Sequence, residues 1–188
     1  MMKWLDWENL KKHCEICTQC GLSRNRTNVV VGEGNPNAPL MFIGEGPGAE
    51  EDRTGRPFVG KAGQLLTKAI EGIGLAREDV YIANIVKCRP PGNRVPNLEE
   101  AQACIQYLRN QVMLIKPKII VCLGATAMRH VIDPNMQISK VRGEWIDRKG
   151  YWLMPTYHPA ALLRDESKKI PFWEDFKKIR EKLKVIED

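Results

Sequence analysis

The chain has 188 residues, enough for one domain with a full hydrophobic core and short for two. Its hydrophobic fraction of 43% contains no apolar run near the ~18 residues a bilayer requires, which excludes a helical membrane protein and describes a soluble globular one. Twenty-nine Lys and Arg against 23 Asp and Glu give +6, a mild sign of a polyanionic partner that position along the chain must substantiate.

The opening MMKWLDWENLKKH lacks the apolar core of a signal peptide and reads as an amphipathic helix. A cytoplasmic chain is expected on that basis, in a compartment where thiols stay reduced and clustered cysteines point to metal more than to disulfides. Such a cluster follows at once in CEICTQC, with Cys14, Cys17 and Cys20 at every third residue. After a turn-rich stretch, LMFIG (40–44) reads as a buried strand. GKAGQLLTKAIEGIGL has helical apolar spacing, with Gly74 placed to stop it. VYIANIV (80–86) is a second strand, and Asn97 with Glu100 makes a capping-box pattern for a helix running to about Ile115. KIIVCLG (118–124) is a third strand, 125–132 a short helix and YWLMPT (151–156) a fourth strand. PFWEDFKKIREKLKVI closes the chain as a helix with Pro171 in its first turn.

Apolar strands alternating with helices predict a single α/β domain over 1–188, built on a mostly parallel sheet covered on both faces. Function in such sheets gathers at the carboxyl ends of the strands. Those ends carry GEGPGAEEDRTGRPFVGKAG, KCRPPGNR, GATAMRH and YHPAALLR, all rich in Gly, Pro, Arg, His and acidic residues. GRPFVGKA nearly fits a phosphate-binding P-loop, but Ala62 stands where a hydroxyl would hold Mg²⁺ and no strand leads directly into it. The Cys-x2-Cys-x2-Cys run lacks the fourth cysteine of a ferredoxin motif, so further ligands must come from elsewhere. Cys88 and Cys104 are the available second pair, while Cys122 lies inside an apolar strand and reads as core. On this evidence zinc suits four thiolates as well as an iron–sulfur cluster does.

GEGNPNAPLMFIGEGPGAEEDRTGRPFVGKAGQLL, YIANIVKCRPPGNRVP and PTYHPAALLR, long and in this order, closely resemble the family-four uracil-DNA glycosylases. These are the iron–sulfur enzymes of the uracil-DNA glycosylase superfamily, and the likeness spans nearly the whole chain. It implies a three-layer α/β/α sandwich with a four-stranded, mostly parallel central sheet, and base-excision repair of deaminated cytosine. It also implies one [4Fe-4S] cluster on Cys17, Cys20, Cys88 and Cys104, with Cys14 outside the pattern and zinc as the lesser alternative.

Uracil inside a duplex must be extruded into a pocket before its bond can be cut. By resemblance, Phe58 is the aromatic that stacks on the flipped base, against the plainer reading of a core residue. Asn84 is a polar residue closing an apolar strand, where an unpaired amide is costly. Its amide can donate to uracil O4 and accept from N3–H, a pattern that cytosine reverses; the plainer reading is an Asn bridging two loops. His158 matches the histidine that hydrogen-bonds uracil O2 as negative charge gathers there. On the sugar side, the superfamily motif G-Q-D-P-Y is here Gly44-Glu45-Gly46-Pro47-Gly48, so the aspartate is Gly46 and its role cannot be carried over. Glu45 is expected to stabilise the cation or position the water, with Glu51 and Asp52 next in line and helix capping as their plainer role. Gly44 and Gly46 are expected at the base pocket.

Arg89, Arg94, Lys87 and Arg142 are expected to meet phosphates, and Leu162, Leu163 and Arg164 to fill the gap left by the base. No lysine matches a Schiff-base position, which predicts a monofunctional enzyme using water. Uracil-containing DNA is the expected partner of a monomer, with replication or repair proteins as further partners and no membrane. The competing reading is an iron–sulfur DNA-binding module that recognises uracil or damaged DNA without cleaving it.

Overall fold

The computed structural model describes residues 6–187. Six strands form, β1 (Glu33–Gly34), β2 (Leu40–Gly44), β3 (Tyr81–Asn84), β4 (Ile119–Leu123), β5 (Ile146–Arg148) and β6 (Tyr151–Thr156). They lie in one sheet in the order β1-β3-β2-β4-β6-β5. The middle four run parallel to one another, and β1 and β5 are antiparallel edges. The sheet is therefore six-stranded and mixed where four strands were expected. The edges escaped notice because two and three largely polar residues carry no apolar run.

Among the described residues eight α-helices surround it: α1 (Trp7–Glu15), α2 (Ala49–Thr54), α3 (Lys61–Gly72), α4 (Leu98–Ile115), α5 (Ala125–Val131), α6 (Ile138–Val141), α7 (Pro159–Arg164) and α8 (Lys169–Glu187). The expected cap of α4 is present, since the Asn97 side chain accepts from Glu100 N at 2.8 Å and Glu100 accepts from Asn97 N at 2.9 Å. Among the described residues no helix is long and apolar enough to cross a membrane.

Alternation along the buried strands divides the core in two. Met41, Ile43, Ile120 and Cys122 pack with Leu10 of α1 and Tyr107 and Leu108 of α4. Leu40, Phe42, Ile119 and Val121 face α3 and α8, where Phe42 stacks on Phe176 with centroids 5.6 Å apart. Burial of each such side chain contributes about 1.5–3 kcal/mol, so both faces anchor the sheet. The chain leaves β2 to one side for β3 and crosses to the other for β4, and this reversal opens a crevice at the strands' carboxyl ends. Behind it, Asp175 of α8 accepts from Thr156 Oγ1 at 2.6 Å and Arg142 Nε at 3.0 Å, which fixes the end of β6 two residues before His158.

Candidate active site

The crevice is a cleft of about 740 Å³ lined from all four parallel strand ends. Asn84 closes β3 and is 1% exposed, yet its Oδ1 is buried without a hydrogen-bond partner. An orphaned buried acceptor costs about 1–3 kcal/mol, so a fold that keeps one holds it for a ligand. Gly44, at the end of β2, makes the approach possible. A Cβ there would stand 2.5 Å from both Asn84 Oδ1 and Phe58 Cζ. The Phe58 ring sits 5.5 Å from the His158 ring at 30°, so a flat face, an amide and an imidazole border one small space.

His158 is the N-cap of α7, and its Nδ1 accepts from Ala160 N at 3.0 Å. That bond assigns the proton of a neutral ring to Nε2. The ring is half-buried and lines the cleft; burial first, and the Arg164 charge second, push its pKa down to about 4 against an opposing pull from Glu51. His158 is therefore a neutral donor at physiological pH. Glu45 follows β2 and lines the cleft opposite α5, whose Thr126 Oγ1 donates to it at 2.5 Å. A Cβ at Gly46 would stand 2.7 Å from Val86 Cγ2, which leaves no room for the aspartate of G-Q-D-P-Y.

The two other carboxylates proposed for the sugar are committed to the backbone. Glu51 accepts from Gly48 N, Val59 N and Gly60 N at 3.1, 3.0 and 2.9 Å, and Asp52 accepts from Thr27 N at 2.8 Å and Asn28 N at 3.2 Å. Among the expected phosphate contacts, Lys87 is wholly buried and donates to Asn84 O at 3.0 Å and Gln111 Oε1 at 2.7 Å. Arg142 is held by Asp175 and by Pro171 O at 2.9 Å, because the buried carboxylate needs its charge. Arg89 donates to Asn93 and lies off the cleft lining, whereas Arg94, paired with Glu100, and exposed Arg164 are on it. Leu162 is 1% exposed and belongs to the core, whereas its neighbour Leu163 is 51% exposed. Sequence reasoning missed Thr126, Tyr157, Lys61 and Lys168 on the lining; GATAMRH was marked as a strand end, but nothing in it singled out Thr126.

A second recess collects Cys14, Cys17, Cys20, Cys88 and Cys104, while Cys122 is buried in β4 away from it. Arg26 Nη1 donates to Cys88 Sγ, and Lys87 N to Cys104 Sγ, both at 3.3 Å. Among the described residues no three His, Cys, Asp or Glu side chains converge tightly enough to hold one metal ion.

The family model of the Uracil DNA glycosylase superfamily matches residues 31–184. A type-4 uracil-DNA glycosylase of Thermotoga maritima is 52% identical over 87% of this chain and 86% of its own length. One from Archaeoglobus fulgidus is 44% identical over 93% and 92% respectively. A type-5 uracil-DNA glycosylase of Pyrobaculum aerophilum is more distant, 36% identical over 69% of this chain and 64% of its own. With a family model over most of its length and these identities behind it, the chain belongs to the type-4 uracil-DNA glycosylases of the uracil-DNA glycosylase superfamily.

Proposed function

We propose that the chain is a monofunctional uracil-DNA glycosylase that extrudes uracil and hydrolyses its N-glycosidic bond with water, leaving an abasic site. The observation that carries this reading is the unpaired Asn84 Oδ1, buried beside Phe58 and a neutral His158. Phe58 takes the face of the base, and Asn84 accepts from N3–H and donates to O4. Cytosine offers neither complement, so it leaves both groups unpaired and is refused. As the bond lengthens, charge gathers on O2, where His158 Nε2–H meets it without a proton changing hands. Glu45, oriented by Thr126, lies where a carboxylate can face the cationic sugar and align water. Lys61, Arg94, Arg164 and Lys168 ring the cleft and supply salt-dependent attraction to phosphates. A module that only binds uracil has no use for an oriented carboxylate and a neutral histidine together.

An oligonucleotide with one uracil tests this. The wild type is expected to leave an alkali-labile abasic site, and Glu45→Gln to do so on the order of ten- to a hundredfold more slowly. Tight binding with the base left attached would make the chain a recognition module instead.

The cysteine recess fits a [4Fe-4S] cluster on Cys17, Cys20, Cys88 and Cys104, with Cys14 as a fifth, unassigned thiol. Four separated thiols on a common recess suit a cluster with a ligand at each corner better than one ion. The backbone and guanidinium N–H groups aimed at two of the sulfurs are the hydrogen bonds such a cluster uses. When bound, it supplies iron–thiolate links joining the N-terminal segment, the loop after β3, and α4. Analysis of purified protein should find about four iron atoms per chain; one zinc and no iron would overturn the assignment.

A further inference from the structure

Phe58 stands at φ +50, left-handed backbone that a bulky aromatic rarely adopts and that costs about 1–3 kcal/mol unless its surroundings impose it. What imposes it is a pair of opposite charges on either side of the loop. Arg77, in the turn before β3, donates through Nη1 to Phe58 O at 3.0 Å and Thr67 Oγ1 at 3.1 Å, and through Nη2 to Pro57 O. The next two peptides turn the other way, and their N–H groups, Val59 and Gly60, end on the Glu51 carboxylate. Carbonyls drawn to a cation and amides drawn to an anion leave the residue between them little freedom to rotate.

The clamp is built into the fold. The Arg77 side chain is 17% exposed and lies off the cleft lining, so it touches no base. Its Nε is buried without a partner, a cost accepted for the two carbonyl contacts. Glu33, brought to it by edge strand β1, stands 3.8 Å away and also binds Arg56 at 2.6 Å. Helix α3, which carries Thr67, also presses on the loop at Gly63, where a Cβ would stand 1.9 Å from Phe58 O.

We infer that Arg77 is a positioning residue for excision, acting through Phe58 by fixing the ring over the base pocket. The inference rests on Phe58 as the stacking ring, and the test separates the two claims. Phe58→Ala should lower kcat/KM for uracil excision by about ten- to a hundredfold, the usual worth of base–aromatic stacking. Arg77→Met should lower it about tenfold, and the double variant should be no worse than Phe58→Ala within about twofold, because the clamp has nothing left to hold. Inhibition by free uracil should weaken by the same factor in Arg77→Met while affinity for abasic duplex stays unchanged, a split that general loosening of the fold does not give. If Arg77→Met fails to fold, Arg77→Lys enters the same cycle, since an ammonium keeps the charge but cannot fork to both carbonyls. Multiplicative losses in the double variant overturn the role of Arg77. A Phe58→Ala protein with full activity overturns the stacking reading itself.

Discussion

Replacing His158 with alanine is expected to lower kcat/KM for uracil excision by on the order of 10²–10³, the worth of one preorganised donor at a developing oxyanion. The loss should fall on kcat, because charge on O2 appears as the bond breaks and the ground-state base calls for little from the donor. The pH profile is the sharper test. With its pKa pushed down to about 4, the ring stays neutral where an ordinary histidine would have charged. Single-turnover rates should therefore hold level from pH 8 through 5.5, with no acid limb centred at 6.5. A limb at 6.5 would sink the neutral-donor account.

The same shift acts on stability, with a definite sign. The unfolded chain takes the proton near 6.5 and the folded chain only near 4, so the unfolded state binds more protons between those values. The stability that His158 contributes is whole above 6.5 and is lost as pH falls towards 4. Urea midpoints at pH 7 and pH 5 should show a larger fall for wild type than for His158→Gln, which has nothing to protonate. Equal falls would mean that the ring titrates alike in both states. Protonation would also set two donors face to face, since Nδ1 now accepts from Ala160 N.

How far the fold could be read follows from what kind of signal each element leaves. The four central strands are buried on both faces and leave continuous apolar runs, and LMFIG and YWLMPT mark β2 and β6 to the residue. Edge strands β1 and β5 are held by one neighbour each and carry no such pattern. The helix in AEEDRT leaves no apolar spacing either, being six residues rich in charge, and only the capping role open to Glu51 and Asp52 hinted at it; Glu51 does close its first turn. At the site, Asn84 stood out as a polar residue ending an apolar strand, and His158 through its setting in HPA. Two of the expected phosphate cations are engaged inside the protein by partners distant in sequence: Lys87 finds Gln111 and Arg142 finds Asp175 across 24 and 33 positions, beyond the reach of any local pattern. Leu162 and Leu163 are adjacent and chemically identical; only the packing of a six-residue helix decides which one is buried.

Asn84→Ala should separate stability from activity. The side chain is 1% exposed, and truncating most buried residues is destabilising. Here, however, the truncation removes a buried acceptor that nothing in the fold satisfies, which relieves about 1–3 kcal/mol and offsets the small packing loss. The melting temperature should therefore hold or rise. Excision should nevertheless fall by on the order of 10², because two hydrogen bonds to the base at about 1.5 kcal/mol each come to about 3 kcal/mol. The residual activity should also lose preference, since the unpaired amide that cytosine would leave behind is gone and the penalty against that base goes with it. Melting curves and excision rates on uracil and cytosine oligonucleotides, measured side by side, decide the matter. A variant that is both less stable and still selective would show that Asn84 is an ordinary structural amide, satisfied in the working enzyme by something other than the substrate.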